Sequence, residues 1–198
     1  MKKIKEKLEL VFLLDRSGSM GGLENDTIGG YNSLIRKNRN NDALITTVLF
    51  DNDVEFLHER VNIKEVKELT NDDYYVRGST ALLDAIGITI NKISKESKDR
   101  KVIFVITTDG LENASREYSR SKIKKMIDQR KDWEFMYLGA NIDSYEEAGS
   151  IGIKKNRISN YKSSKDGTKK MYEALGKAVA CFSECRELND SWNEGLED

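Results

Sequence analysis

At 198 residues the chain is long enough to bury a core of two or three layers, and no repeat or linker divides it, so one domain over 1–198 with a core from about 8 to 188 is expected. Lys plus Arg number 33 against 34 for Asp plus Glu, a formal net charge of −1, which leaves no global basic field to recruit nucleic acid or an anionic membrane. Cys181 and Cys185 are the whole cysteine complement and no His lies near them, which excludes a disulfide framework and a zinc site and predicts buried thiols.

The basic start, Met1 to Lys7, is followed by an apolar stretch broken at Glu9 and ended at Asp15, too short for a signal sequence or a membrane span. A soluble, cytoplasmic protein is therefore expected. Leu10 to Leu14 are five consecutive apolar residues, the pattern of a strand buried on both faces of a parallel sheet. Directly after it, Asp15, Ser17 and Ser19 put one carboxylate and two hydroxyls at alternate positions, where they can converge on one hard cation. The carboxyl end of a strand is where open α/β sheets bind ligands.

Gly21 and Gly22 relieve the following turn, and Leu23 to Arg36 read as a helix with Ile28, Tyr31, Leu34 and Ile35 on one face. Gly29 and Gly30 inside it cost about 1 kcal/mol each relative to alanine, which close packing on the sheet would explain. Ala43 to Phe50, the Asp51-Asn52-Asp53 turn and Val54 to Leu57 read as a hairpin, one of whose strands becomes an antiparallel edge. His58 closes that hairpin with no nucleophile or acid partner fixed by the sequence, so a surface residue is expected. Ile63 to Leu69 predict a short helix, and the loop through Tyr74 and Tyr75 leads to Arg77, Gly78, Ser79 and Thr80.

Leu82, Leu83, Ile86, Ile90 and Ile93 have helical spacing. Val102 to Thr107 form another buried-strand run, ending in Thr108, Asp109 and Gly110. Ser115 is expected to cap a helix to about Gln129, followed by a strand over Trp133 to Leu138, a short helix around Tyr145 to Ala148 and a weak edge strand over Arg157 to Tyr161. From Lys165 a long helix carries Met171, Leu175, Val179 and Phe182 inward as far as Leu188, so that residues 186 to 198 are expected to be dispensable. Alternating strands and helices predict a doubly wound, Rossmann-like, mostly parallel α/β sheet of about six strands, with helices on both faces and one antiparallel edge strand.

Asp15, Ser17, Ser19, Thr80 and Asp109 resemble, in order and rough spacing, the five positions of the metal-ion-dependent adhesion site of the von Willebrand factor A (VWA) domain family, bacterial stand-alone type. The resemblance extends in pattern over most of residues 8 to 185. Ala81 departs from it where bacterial members often carry proline, a change in loop stiffness and not in a ligand. The resemblance implies a metal-dependent adaptor whose partner protein presents a Glu or Asp side chain to the metal, acting as a monomer, without nucleic acid or membrane. Gly139 to Asp143 also look like a pattern of some bacterial relatives, with no ligand role assigned.

The donors themselves select the ion: two carboxylates and three hydroxyls favour Mg²⁺, with Mn²⁺ as substitute and Ca²⁺ less suited. Two carboxylates neutralise a divalent cation, leaving an electrophilic ion open to an outside anion, and Arg16 and Arg77 flank the ligands with further attraction. The alternative reading is a Mg²⁺-dependent phosphotransferase or phosphatase-like enzyme using Asp15 as nucleophile. That chemistry needs an acid two residues later, where the chain has Ser17, and no phosphate-binding Gly-Lys-Ser or Gly-Lys-Thr follows a strand. A non-enzymatic module is therefore expected.

Overall fold

A computed structural model describes residues 7–97, 100–185 and 187–196. In chain order the elements are β1 (Lys7–Asp15), α1 (Glu24–Asn38), β2 (Ala43–Phe50), β3 (Val54–Asn62), α2 (Leu82–Glu96), β4 (Arg100–Thr108), α3 (Arg120–Asp128), β5 (Trp133–Gly139), α4 (Ser144–Ser150), β6 (Ile158–Asn160) and α5 (Lys165–Cys185). The six strands lie in the order β3-β2-β1-β4-β5-β6. Every neighbouring pair is parallel except β2 and β3, so β3 is the antiparallel edge expected of the hairpin.

Burial explains the central strands. Leu10 to Leu14 are fully buried, and their side chains alternate between two cores. Leu10, Phe12 and Leu14 face α1 and α5, whereas Val11 and Leu13 face α2 and α3. The α1–α5 pairing depends on Gly30, where a Cβ would run into the ring of Tyr172. The close approach that Gly30 permits is thus to a helix and not to the sheet, while Gly29 faces open space.

Several expectations are corrected. The second hairpin strand runs on to Asn62, so His58 lies inside β3, half-buried, with Nδ1 3.1 Å from Thr47 Oγ1. Ile63 to Leu69 form a turn and irregular chain instead of a helix; Ile63, Val66 and Leu69 still reach the core, and the backbone is tied to α1 through Asn32, which donates to Leu69 O and accepts from Leu69 N–H. The helix expected from Ser115 begins at Arg120, because Ser115 is engaged by Glu112 and Asp84 and Ser119 supplies the cap to Lys122 N–H.

Beyond α5 the chain returns to the core: Leu188, Trp192 and Leu196 are buried on its face of the sheet. Trp192 Nε1 donates to Asn156 O at 2.8 Å, and Arg157 donates to Leu188 O and to Asp190. The packed region therefore extends past 188, and residues 187–196 are structural. Cys181 is a partly exposed free thiol, not a buried one, and the Cys185 side chain and the Met1–Glu6 segment lie outside the described residues.

Both sheet edges are irregular. β3 loses register with β2 between Ile45 and Val48, and Arg60 within it adopts φ 49°, a left-handed conformation uncommon for a side chain of its size. There its guanidinium pairs at 2.9 Å with the fully buried Glu9 of β1, whose carboxyl burial pushes up and Arg60 partly restores. β6, at the other edge, is only three residues long.

Candidate metal centre

Parallel pairing brings the carboxyl ends of β1, β2 and β4 side by side, and the polar residues that follow them meet above the sheet. Gly110 marks the meeting point. A Cβ built there would lie 2.9 Å from Thr80 Oγ1, 3.2 Å from Ser19 Oγ and 3.7 Å from Ser17 Oγ, so three hydroxyls from two distant loops surround a cradle that only glycine leaves open. Ser17 Oγ and Ser19 Oγ are 3.1 Å apart, and Ser19 Oγ donates to Asp109 Oδ1 at 2.5 Å. All five sequence-identified positions thus fall in one cluster, with Ser19 on its exposed side.

Asp15 lies deeper. Its Oδ1 accepts from Ser17 N–H at 2.7 Å and its Oδ2 from Thr108 Oγ1 at 2.5 Å, and the side chain is inaccessible to solvent. Burial pushes its carboxyl up to about 6, despite hydrogen bonds from Thr108 and Ser17 that act the other way. Burial likewise raises the Asp109 carboxyl, against the Ser19 hydroxyl. Two carboxylates held in a place that disfavours their charge, beside three hydroxyls, fit a hard divalent cation, which removes the penalty by supplying the opposite charge.

The ligand loops are braced by residues that sequence reasoning passed over. Asp51, treated as part of a turn, is buried after β2, and its Oδ2 accepts from Arg16 Nε and Arg77 Nε, both at 2.7 Å. Burial alone would raise its carboxyl, but hydrogen bonds from Arg77, the Asp53 N–H and Arg16 bring it below its ordinary value. One side chain thereby joins the loop after β1 to the loop that carries Thr80. Backbone bonds repeat the link, with Arg77 N–H donating to Arg16 O and Ala81 N–H to Asp51 O. Arg16 and Arg77, expected to attract an acidic segment, are instead committed to Asp51, with Arg16 also on Glu55. Tyr74 donates its hydroxyl to Asp15 O, and Asn113 accepts from Thr80 N–H while its own N–H donates to Thr80 O. An Asp directly after a strand is a weak sequence signal, because its two Arg partners are far away along the chain; only the fold makes it meaningful.

Gly110→Ala should leave the fold intact at a cost of about 1–3 kcal/mol for overpacking, while removing cation-induced stabilisation, because the methyl occupies the cradle. Thermal unfolding with and without divalent cation checks this, and an unchanged cation response would show that the cradle is not the binding position.

No family sequence model matches the chain, and no curated protein matches it by sequence. Solved structures match it in fold. Proximal thread matrix protein 1 from the mussel byssus, with a zinc-occupied metal-ion-dependent adhesion site, superposes with a TM-score of 0.63 at 15% identity over 89% of this chain and 46% of that one. A von Willebrand factor type A protein from Catenulispora acidiphila gives 0.60 at 10% identity, covering 88% and 42%. Manganese-loaded TRAP protein from Plasmodium vivax gives 0.57 at 16% identity, covering 80% and 70%. The chain thus spans less than half the length of the first two. Among the described residues no helix is long and apolar enough to cross a membrane.

Proposed function

We propose that this chain, which has the von Willebrand factor A fold, is a divalent-cation-dependent protein-interaction module: Asp15, Ser17, Ser19, Thr80 and Asp109 hold Mg²⁺, and a Glu or Asp of a partner protein completes its shell. The observation that carries the reading is the convergence of three hydroxyls on the Gly110 cradle between two carboxylates that burial holds above their ordinary range. An all-oxygen donor set with two formal charges favours Mg²⁺ over softer ions, with Mn²⁺ the natural substitute and Ca²⁺ less suited. The ion so held is neutral overall and remains open on the Ser19 side, where a carboxylate is a better incoming ligand than a neutral group. In the same reading the module acts as a monomer in the cytoplasm, where a partly exposed thiol such as Cys181 stays reduced.

The phosphotransferase alternative fares worse on geometry. A nucleophilic carboxylate must reach its substrate, yet Asp15 has no exposed surface, both its oxygens accept hydrogen bonds, and the position of the general acid is Ser17.

The test is thermal or chemical unfolding in Mg²⁺ and in EDTA. Folding assembles the ligands from three loops, so Mg²⁺ should stabilise by mass action, about 2.7 kcal/mol at a hundredfold excess over its dissociation constant. Thr80→Ala should remove most of that gain. Identical midpoints in Mg²⁺ and EDTA would reject the reading, and turnover of an aryl phosphate that requires both Mg²⁺ and Asp15 would replace it with the enzymatic one.

A further inference from the structure

We propose that the rim of this centre recognises an extended segment in which the acidic residue is flanked, two positions before and two after, by apolar side chains that rest on Tyr75 and Leu111; the proposal depends on the reading of the centre as a metal-dependent interaction site. Among the described residues, Leu111 at 53% and Tyr75 at 45% are the large hydrophobic side chains left exposed. Isolated exposed hydrophobics are ordinary on protein surfaces. Here, however, both belong to loops that build the same site.

Leu111 follows Asp109 and Gly110, in a loop fastened to Thr80 by Asn113 and Ala114 N–H groups donating to Thr80 O. Tyr75 precedes Arg77, in the loop joined to the Asp15 turn by Arg77 N–H on Arg16 O and Gly18 N–H on Gly78 O. Leu111 follows β4, and the Tyr75 ring lies against the Arg16 and Arg77 guanidiniums that Asp51 holds at the end of β2; β1, which ends in Asp15, is the strand between β2 and β4. Three adjacent strands span about 10 Å.

The Tyr75 ring is held in place. The Arg16 guanidinium lies 5.6 Å and that of Arg77 5.7 Å from its centroid, and Asp51 fixes both. Among the described residues the buried Arg16 Nη2 has no hydrogen-bond partner, and a guanidinium beside a ring face is attracted to it. A ring ordered by the fold has little freedom left to lose on binding. In an extended segment, side chains at i−2, i and i+2 share one face and span about 13 Å, which suits a carboxylate over the cradle with one apolar group on each flank. Adjacent flanking positions would point away from the site.

The test uses two immobilised peptides, Gly-Leu-Ser-Glu-Ser-Leu-Gly and Gly-Ser-Ser-Glu-Ser-Ser-Gly, with the ends blocked, against the full chain in saturating Mg²⁺ and in EDTA. Binding of the leucine peptide should need Mg²⁺ and exceed that of the serine peptide by about tenfold or more, as expected for burying two Leu side chains in part. Leu111→Ser with Tyr75→Ser should reduce that preference to about twofold while leaving the Mg²⁺-induced rise in melting temperature unchanged. Equal binding of the two peptides in Mg²⁺, or a preference that survives the double variant, overturns the rim proposal alone. If Mg²⁺ raises the melting temperature but neither peptide binds, the recognition surface is rejected and the metal centre stands. If Mg²⁺ has no effect on melting, the metal reading fails and takes the rim with it.

Discussion

Asp15→Asn should make the metal-free protein more stable at pH 7, by about 2–3 kcal/mol, and should abolish its response to Mg²⁺. Burial pushes the folded-state carboxyl up to about 6 from an ordinary value of 3.8, so between these values the folded chain holds a proton that the unfolded chain releases. The stability this group contributes is complete below 3.8 and is lost as pH rises through about 6. Asparagine stays neutral throughout. It also keeps the contacts: its carbonyl can accept from Ser17 N–H, and its amide can donate to Thr108 Oγ1, whose own hydroxyl can donate to Gly110 O at 3.1 Å. Subtracting the two stability–pH curves in EDTA isolates Asp15, because carboxyls such as Asp51, held below their ordinary value, contribute to both. The difference should approach zero below about pH 3 and be largest above pH 7. An asparagine variant less stable than the parent at pH 7 in EDTA would mean that the hydrogen bonds to the carboxylate outweigh its burial.

The second large effect is at the opposite extreme of the chain. Removing residues 186 to 198 should unfold the protein or leave it without a cooperative transition, contrary to what the end of the helical stripe at Leu188 suggests. The deletion strips Leu188, Trp192 and Leu196 from one core, and loss of a buried Trp or Leu side chain costs about 2–5 kcal/mol each. That sum is comparable with the whole stability of an ordinary domain, about 5–15 kcal/mol. It also leaves Asn156 O without its indole donor and Arg157 without Leu188 O and Asp190. Trp192→Phe is the milder control, which keeps an aromatic ring there and loses the hydrogen bond, about 0.5–1.5 kcal/mol, together with part of the buried ring volume. A truncated chain melting within a few degrees of the parent would show that this tail adds little.

These outcomes separate what the chain declares locally from what it declares only when folded. Asp15 ends a strand, and Ser17, Ser19, Thr80 and Asp109 lie in the short loops that follow a strand or lead into a helix, where a polar run interrupts apolar periodicity and attracts notice. Asp51 occupies the same kind of place after β2, but its partners lie 35 and 26 residues away, and only the register of the sheet brings them within reach. Ile63, Val66 and Leu69 mislead because a three-residue spacing of apolar side chains also suits a turn and irregular chain that touches the core three times. Ser115 looked like a helix cap for want of any sign that Glu112 would claim it. The tail escaped because Leu188, Trp192 and Leu196 recur every four residues among Asn, Asp, Ser and Glu, which reads as polar chain, and no helix forms there to justify the spacing.

The irregular borders of the sheet bear on how the protein behaves when crowded. An open sheet carries a row of free backbone donors and acceptors on each outer strand, a template for joining another copy edge to edge. At β3 the register shifts, the left-handed Arg60 and the charged Glu55 and Glu59 break that template. At β6 three residues offer too little length to pair. Self-association into continuous β-structure therefore has no straight edge from which to start, and the chain can keep its long apolar runs, Leu10 to Leu14 of β1 and Val102 to Ile106 of β4, in the middle of the sheet.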